Sequence, residues 1–363
     1  MIPMVDLKTQ YQALQAEIEP KIQKALAQCL YILGPNVTAF EQEAASYLGV
    51  KHAIGVANGT DSLHLALLAN GIGADDEVIT TAFSFIATAE AITYTGASIK
   101  FADINPKTFN IDPKSIEQQI TKKTKAVLVV HLFGQPVDMP EIKKICDHNG
   151  LKLIEDCCQS FGATIEGQQT GSFGDAGCFS FFPSKNLGGF GDGGLLSTNN
   201  DEIAENVKAL RNHGMKVRYH HSKIGYNSRL DELQAVILRV KLPLIDSYNS
   251  ARNANAQKYS ELLQDLPIQA PFEDNIGFHI YHQYTLLSEK RDQISQALNQ
   301  QQIANAIYYP IPLHRQKVYL DMFKEINLPN TQAVAHNCLS LPMFPELKHE
   351  QIEKITSVIK SVF

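Results

Sequence analysis

The chain has 363 residues, 44% of them hydrophobic, enough to bury a large core in one or two domains. Its 32 basic and 38 acidic residues give a net charge of −6, which does not indicate a nucleic-acid partner. No apolar run reaches transmembrane length and no signal-peptide pattern is present, so no membrane partner is expected. The six cysteines form no Cys-x-x-Cys pair, so we expect reduced, mostly buried thiols in a cytoplasmic protein.

In chain order, a helix is predicted over residues 10–30, ended by Tyr31-Ile-Leu-Gly-Pro35. Short apolar strands then alternate with helices. The predicted strands are Ala53–Ala57, Glu77–Thr80, Ile99–Asp103, Ala126–His131, Leu151–Asp156, Ala176–Phe181 and Gly194–Thr198. The predicted helices between them are Asp61–Ala69, Ile86–Tyr94, Ser115–Ile120, Met139–His148 and Asp201–Asn212. This alternation predicts an α/β fold with a largely parallel, helix-covered sheet, whose ligands collect at the carboxyl ends of the strands.

The first strand ends in Ala57-Asn-Gly-Thr-Asp61, at the start of a helix. Gly59 permits a tight turn and Thr60 can cap the helix. Backbone N–H groups, a hydroxyl and the positive helix end would together cradle a phosphate, although an ordinary capped helix start has the same pattern. No Gly-x-x-x-x-Gly-Lys-Ser/Thr element occurs, so a nucleotide-hydrolysing P-loop is not expected.

Further chemical groups follow later strands. In Thr81-Ala-Phe-Ser-Phe85, either Phe83 or Phe85 could stack on a flat ring, although aromatic residues in such a position are more often core residues. Glu155, Asp156 and Gln159 lie at or just beyond the end of a buried strand. A carboxylate there needs a cationic or hydrogen-bonding partner, and a protonated ring nitrogen facing Asp156 would be one. A helix cap or a surface acid is the structural alternative.

Lys185 follows Ser180-Phe-Phe-Pro-Ser184 and precedes five glycines within nine residues. Burial among aromatic residues would lower its pKa and favour the neutral amine that a Schiff base requires, although a surface lysine in a flexible loop is the alternative. A phosphate cradle, an aromatic plate, a carboxylate and a lysine, each at a strand end, together indicate a pocket for pyridoxal 5′-phosphate. A dinucleotide site is not indicated, because Gly189–Gly193 precedes a strand instead of opening a helix.

A helical pattern extends from Asp231 to about Leu263, interrupted near Pro243, and we interpret it as the link between two domains. We therefore predict a large domain over residues 1–245 and a smaller α+β domain over residues 246–363. Within the smaller domain we expect a strand at Tyr281–Leu287, a helix around Asp292–Gln300, a strand into Ile307 and a closing amphipathic helix at Lys348–Val362.

The chain resembles the DegT/DnrJ/EryC1/StrS family of nucleotide-sugar aminotransferases over nearly its whole length. The motifs are Ala57-Asn-Gly-Thr-Asp61, Glu155-Asp156-x-x-Gln159-Ser160, Ser180-Phe-Phe-Pro-Ser-Lys185 and Asn227-Ser-Arg-Leu-Asp231. The resemblance implies the fold type I of pyridoxal-phosphate-dependent transferases, as in aspartate aminotransferase. It implies a Schiff base at Lys185, Asp156 at the ring nitrogen, Gln159 at the ring hydroxyl, Phe85 stacked on the ring, and Gly59, Thr60 and Ser180 on the phosphate. Asn227 would reach the phosphate from the other subunit of a homodimer.

For the substrate, the chain most resembles enzymes that aminate C3 of a UDP-N-acetyl-3-keto-hexuronic acid for O-antigen synthesis, with L-glutamate as the donor. The residues then implied at the sugar nucleotide are Tyr31, Ser184, Arg229, Tyr308, Tyr309 and His314. The alternatives are a dTDP-3-keto-6-deoxyhexose 3-aminotransferase and a catalytically silent sugar-nucleotide-binding protein, against which the intact Lys185 and Asp156 argue. The histidines at positions 213, 220 and 221 favour a mobile cationic loop near an anionic substrate, and no metal site is predicted.

Overall fold

The computed structural model describes all residues, Met1–Phe363. Its strands are β1 His52–Val56, β2 Glu77–Thr81, β3 Ser98–Ala102, β4 Thr124–Val130, β5 Lys152–Asp156, β6 Thr164–Ile165, β7 Gln168–Gln169, β8 Ala176–Ser180, β9 Gly194–Thr198, β10 Met215–Val217, β11 His220–His221, β12 Tyr284–Leu287 and β13 Cys338–Leu341. Seven of them form one sheet in the order β1-β9-β8-β5-β4-β2-β3. Strand β9 runs antiparallel to both of its neighbours, and the other pairs are parallel. The prediction of a mostly parallel sheet is therefore confirmed.

The helices lie between and after these strands. They are α1 Leu7–Gln28, α2 Pro35–Leu48, α3 Gly59–Ala69, α4 Ala87–Tyr94, α5 Pro113–Gln119, α6 Met139–Asn149, α7 Asp201–Leu210, α8 Glu232–Lys241, α9 Ile245–Leu263, α10 Arg291–Gln300, α11 Leu320–Phe323, α12 Pro329–Asn337 and α13 His349–Lys360. None of them combines the length and the apolar character that crossing a bilayer requires.

Both faces of the sheet are buried, which explains the continuous apolar runs of its strands. Neighbouring residues of β4 show this: Leu128 belongs to a cluster of 38 buried residues and Val127 to a separate cluster of 13. Because side chains of a strand alternate between its two faces, these clusters lie on opposite sides of the sheet. All seven predicted sheet strands are present, with ends shifted by at most two residues.

Helix α2 is absent from the prediction, which treated Gly34 and Pro35 as the break after α1. Pro35 instead begins the helix, where proline is favoured because the first helical N–H has no partner to lose. The buried carboxylate of Glu232 accepts the N–H groups of Asn36 and Val37, at 2.6 and 3.0 Å. A residue almost two hundred positions away therefore caps α2.

The C-terminal part has its own core, a cluster of 18 buried residues that includes Ala256, Ile359 and the N-terminal Ile2. Strands β12 and β13 pair antiparallel beside it. The predicted strand over 281–287 begins only at Tyr284, because Tyr281 has a positive φ of 46°. The predicted strand into Ile307 is wrong: this segment forms only isolated bridges, from Ile303 to Ile2 and from Ala306 to Ser340. The division between residues 245 and 246 stays a prediction.

Candidate active site

The N-terminus of α3 forms an anion cradle at the carboxyl end of β1. The side chain of Asn58 caps this helix, and the N–H groups of Gly59 and Thr60 have no acceptor within the helix. A Cβ on Gly59 would lie 2.7 Å from Cβ of Ser180 and 2.8 Å from Sγ of Cys158, so only glycine fits. The positive end of α3, the N–H groups of Gly59 and Thr60 and the hydroxyl of Thr60 together provide the polarity that a phosphate requires.

Asp156, the last residue of β5, is 5% exposed. Its Oδ1 accepts the N–H of Cys158 at 3.1 Å, and its Oδ2 accepts the hydroxyl of Thr88 at 2.9 Å. Neither partner is a cation. A buried carboxylate held only by neutral donors favours a positive ligand group, and a protonated pyridine nitrogen is such a group.

Gln159 is oriented by two further contacts. Its Oε1 accepts the N–H of Phe133 at 2.7 Å, and its Nε2 donates to the hydroxyl of Tyr309 at 3.1 Å. The rings of Tyr309 and Phe85 lie 6.3 Å apart, and Phe85 is 55% exposed. The structure thus brings an amide and two aromatic rings, from separate parts of the chain, to the strand ends where Asp156 lies.

Lys185 lies in the loop after β8, where its N–H donates to the carbonyl of Phe182 at 2.8 Å. Burial lowers the pKa of its amine from the usual value, and the negative forms of Cys158 and Asp156 oppose this shift. These two groups therefore lie within electrostatic reach of the amine. The lowered pKa increases the fraction of neutral, nucleophilic amine at neutral pH, as the sequence predicts.

Helix α8 holds the glycine-rich segment that follows Lys185, an interaction that the sequence patterns do not indicate. Nζ of Lys241 donates to the carbonyl of Gly188 at 2.7 Å and to Gln10 at 2.8 Å. Oε1 of Gln234 accepts the N–H of Phe190 at 2.7 Å. Lys241 is 2% exposed, and burial lowers its pKa to about 8. A lysine inside the apolar pattern of α8 was the one available sequence signal.

Glu155 is fully buried but has a structural role. Its carboxylate accepts hydrogen bonds from backbone N–H groups of the segment 171–174 and from Nε2 of His131, the latter at 3.0 Å. His131, Glu155 and Cys157 place potential metal-ligand atoms within 4.8 Å of one another. The other ring nitrogen of His131 accepts the N–H of Val137, so the histidine and the carboxylate are already committed. The cluster gives no reason to assign a metal.

Asn227 and Arg229 lie together, Tyr31 lies beside the start of α8, and none of the three has a hydrogen bond to Lys185 or Asp156. The guanidinium of Arg229 donates to Asn212 at 2.7 Å and to Asn227 at 2.5 Å. Tyr31 is 44% exposed, and its carbonyl accepts the N–H of Glu232 at the start of α8. No carboxylate pairs with Arg229, so its partly buried charge is held by neutral amides alone.

The remaining predicted substrate residues occupy different environments. Ser184 is partly exposed beside Lys185, and Tyr308 is partly buried, with burial raising its pKa. His314 is fully buried, its ring centroid 6.3 Å from that of Phe101 on β3, and neither ring nitrogen has a partner. Contacts of these residues with a substrate stay predictions.

The burial of His314 makes stability depend on pH. Burial lowers its pKa from 6.5 to about 4, so between these values the unfolded chain binds the proton more readily than the folded one. Stability therefore falls as the pH falls through this window. As the pH is lowered from 6.5 to about 4, we expect the thermal midpoint of a His314→Leu variant to fall less steeply than that of the parent. Calorimetry at a series of pH values measures both slopes. Exposed His148→Leu is the control, and equal slopes for all three proteins would contradict the assignment.

A phosphate cradle, a buried carboxylate and a desolvated lysine at the carboxyl ends of a mostly parallel sheet define a pyridoxal-phosphate-dependent enzyme of fold type I. Residues 12–360 match the DegT/DnrJ/EryC1/StrS aminotransferase family, and the chain belongs to that family. It is a nucleotide-sugar transaminase, and the predicted fold, enzyme class and cofactor are confirmed.

Three relatives are similar over almost the entire chain. The UDP-N-acetyl-3-dehydro-α-D-glucosamine 3-aminotransferase of Acidithiobacillus ferrooxidans is 48% identical, over 99% of this chain and 97% of its own. The UDP-2-acetamido-2-deoxy-3-oxo-D-glucuronate aminotransferase of Pseudomonas aeruginosa is 40% identical, over 99% of both chains. The crystal structure of S. venezuelae DesV superposes with a TM-score of 0.97 at 38% identity, covering 99% of this chain and 98% of that one.

Proposed function

We propose that the protein transfers the amino group of L-glutamate to the C3 keto group of UDP-2-acetamido-2-deoxy-3-oxo-glucuronate, for a bacterial surface polysaccharide such as O-antigen. The observation behind this choice is Arg229, a partly buried guanidinium held by two amides and paired with no carboxylate. A sugar carboxylate would be the anion that this charge lacks. The name of the Pseudomonas aeruginosa relative, which specifies a uronate, supports the same substrate.

The described residues fit the cofactor. Lys185 would bind it covalently, Asp156 would face the ring nitrogen, and Gln159 the ring hydroxyl. Phe85 would stack on the ring, while Gly59, Thr60 and Ser180 would hold the phosphate, joined by Asn227 of a second subunit in a homodimer. Bound there, pyridoxal phosphate supplies an electron sink that stabilises negative charge at a carbon undergoing proton transfer.

The protein's own part in the reaction is proton transfer and charge stabilisation. Once the amino donor displaces it, Nζ of Lys185 accepts the Cα proton of glutamate, which its lowered pKa permits near neutral pH. In the second half-reaction the same Nζ returns a proton to C3 of the sugar. The negative charge of Asp156 would keep the ring nitrogen protonated, because the buried carboxylate is hydrogen-bonded only to neutral donors.

The substrate side of the proposal uses Tyr31, Ser184, Arg229, Tyr308, Tyr309 and His314. Arg229 would bind the sugar carboxylate, and Tyr309 is already oriented by Gln159. The exposed hairpin β10–β11, with Lys216, Arg218 and the two histidines of β11, is suited to the diphosphate. A cytoplasmic location fits a reaction between two soluble metabolites.

A second candidate substrate is UDP-N-acetyl-3-dehydro-glucosamine, favoured by the 48% identity to the Acidithiobacillus ferrooxidans relative. The two sugars differ at C6, where one has a carboxylate and the other a hydroxymethyl group. Loss of the carboxylate would leave Arg229 without its anion. Comparing these two sugar nucleotides as substrates therefore tests the two candidate functions through a single group, the C6 carboxylate.

The test offers three keto-sugar nucleotides to the glutamate-treated enzyme: the UDP-3-keto-uronate, the UDP-3-keto-glucosamine and a dTDP-3-keto-6-deoxyhexose. Mass spectrometry of the amino-sugar products gives kcat/KM for each. We expect the uronate to be converted fastest. Arg229→Gln should lower kcat/KM for the uronate by about 10–100-fold, the usual range for a hydrogen bond to a charged group, and that for the neutral UDP-sugar by less than about threefold.

Arg291→Gln, a change at the start of helix α10, is the matched control. Conversion of the neutral UDP-sugar alone would replace the first candidate by the second. Equal losses for both sugars would show that Arg229 does not recognise the carboxylate. If glutamate leaves the cofactor absorbance unchanged and no sugar is converted, the protein is catalytically silent.

A further inference from the structure

Three buried polar side chains form a continuous series of hydrogen bonds that includes Asn186, the residue after Lys185. They are Asn186 (5% exposed), Asn249 (1%) and His282 (5%). His282 Nδ1 lies 3.0 Å from Oδ1 of Asn186, and Nδ2 of Asn186 donates to Oδ1 of Asn249 at 2.7 Å. Nδ2 of Asn249 then donates to the carbonyl of Phe161 at 3.0 Å. The chain links the residue next to Lys185 with α9 and with the segment before β12.

The backbone carbonyl at the far end fixes the direction of every bond. A carbonyl only accepts, so Asn249 must present its NH2 group to Phe161 and its oxygen to Asn186. Asn186 must therefore present its NH2 group to Asn249 and its oxygen to His282. A second carbonyl, that of Ile280, lies 3.4 Å from the same Asn186 nitrogen and agrees with this orientation. It follows that Nδ1 of His282 carries a proton and donates it.

The ring of His282 is neutral as well as oriented. Burial lowers its pKa well below 6.5, and the positive charges of Lys185 and Arg252 lower it further. Lys185 also lies within electrostatic reach of Asp156 and Cys158. His282 thus places an uncharged group within electrostatic reach of the reacting amine, where an imidazolium would repel its charged form.

We propose that His282 is a positioning residue for Lys185, which acts through Asn186 by donating its Nδ1 proton to the amide that fixes the loop carrying the amine. This inference rests on the role of Lys185 in the proposed function. The surrounding backbone supports it: Ile280 donates its N–H to the carbonyl of Gly134 at 3.1 Å, and the backbone nitrogen of His282 is so close that a Cβ on Gly134 would lie only 2.9 Å from it. Phe133, which precedes Gly134, donates its N–H to Gln159. The same segment therefore also positions the side chain that is predicted to contact the ring hydroxyl of the cofactor.

Two variants at His282 test this role. His282→Leu removes the donor at similar volume, whereas His282→Asn places an NH2 group where Nδ1 lies. The first measurement is the rate at which the cofactor-free full-length chain captures pyridoxal phosphate at Lys185, trapped with borohydride and mapped to the peptide by mass spectrometry. We expect about a 10–100-fold slower capture for His282→Leu, since small misplacement of a reacting group has effects of this size.

His282→Asn should recover the capture rate to within about threefold of the parent. The second measurement is steady-state kinetics, where His282→Leu should lower kcat by a similar factor and leave KM for the sugar nucleotide within about threefold. The matched control is His279→Leu. His279 is equally buried and only three residues away, but its ring stacks on Tyr281 at 3.7 Å and does not contact Asn186.

If His282→Leu does not fold, Asn186→Asp keeps the size of the side chain and tests the same chain of bonds. It turns the contact with Asn249 into a repulsion between two acceptors. We expect it to slow the capture of pyridoxal phosphate at Lys185 by about 10–100-fold, as expected for His282→Leu. Capture at the parental rate would contradict the proposal.

The proposal is overturned if His282→Leu captures the cofactor at the parental rate, or if His279→Leu slows capture equally. Failure of the proposed function has a different signature. In that case the cofactor is captured elsewhere than at Lys185, or none of the sugar nucleotides is converted, whatever residue occupies position 282.

Discussion

Replacement of Lys185 by alanine is expected to lower kcat by about 10⁴-fold or more, because one side chain serves both as the covalent anchor and as the proton carrier. The amine is suited to both roles, since burial lowers its pKa and makes the neutral form available. Lys185→Arg should be equally inactive, because a guanidinium keeps the positive charge but does not release a proton. The near-visible absorbance of the lysine-bound cofactor should disappear in both variants.

Turnover is measured with glutamate and each keto-sugar nucleotide, and the covalent bond by borohydride reduction and peptide mapping. Lys125→Ala, at an exposed position on β4, is the matched control and should retain parental activity. Full activity in either Lys185 variant, or a reduced cofactor attached to another lysine, would end the proposal that this residue is catalytic.

Asp156→Asn is expected to lower kcat by about 10²–10⁴-fold while changing stability little. Asparagine has the same shape and can keep hydrogen bonds to Cys158 and Thr88, whose distances are 3.1 and 2.9 Å. The lost property is the negative charge that would hold the cofactor ring nitrogen protonated. Because this charge also raises the pKa of Lys185, its removal should lower that pKa further.

The measurements are kcat as a function of pH, the cofactor absorbance and the thermal midpoint. Asp175→Asn, which alters a carboxylate paired with Lys152 just before β8, is the control for a general effect of charge. A kcat within about threefold of the parent would exclude Asp156 as the partner of the ring nitrogen. A large fall in the thermal midpoint would instead assign it a structural role.

The sheet could be predicted from sequence because its strands are buried on both faces and are bounded by polar turns. Helix α2 could not be predicted in this way, because a proline such as Pro35 can either break one helix or begin the next. The residue that caps α2, Glu232, is also remote in sequence. The strand expected at Ile307 failed for a related reason. An apolar, aromatic run indicates burial, but whether it pairs depends on a partner, and β13 offers only the single bridge from Ser340 to Ala306 there.

The sequence could single out Lys185, Asp156 and Gln159 because each has chemistry of its own and lies at or after the end of a strand, and their roles stay predictions. The groups that hold these residues could not be singled out in this way. Asn186 and His282 are common polar residues, and they become informative only when the fold brings them within 3.0 Å of each other. His314 shows the converse: the family pattern implies a substrate contact, but burial of its ring beside Phe101 is a property of tertiary packing alone.

The antiparallel strand β9 has a consequence for synthesis on the ribosome. It lies between β8 and β1, so that Gly194 abuts the backbone of Asn58. The β1–β9 pair closes a loop of roughly 140 residues, so β1 can pair only after β9 has been translated. Strand β1 consequently has no strand partner until residues 194–198 emerge, and its other edge stays unpaired in the finished sheet. The anion cradle that follows β1 therefore joins the sheet only once β9 has been synthesised.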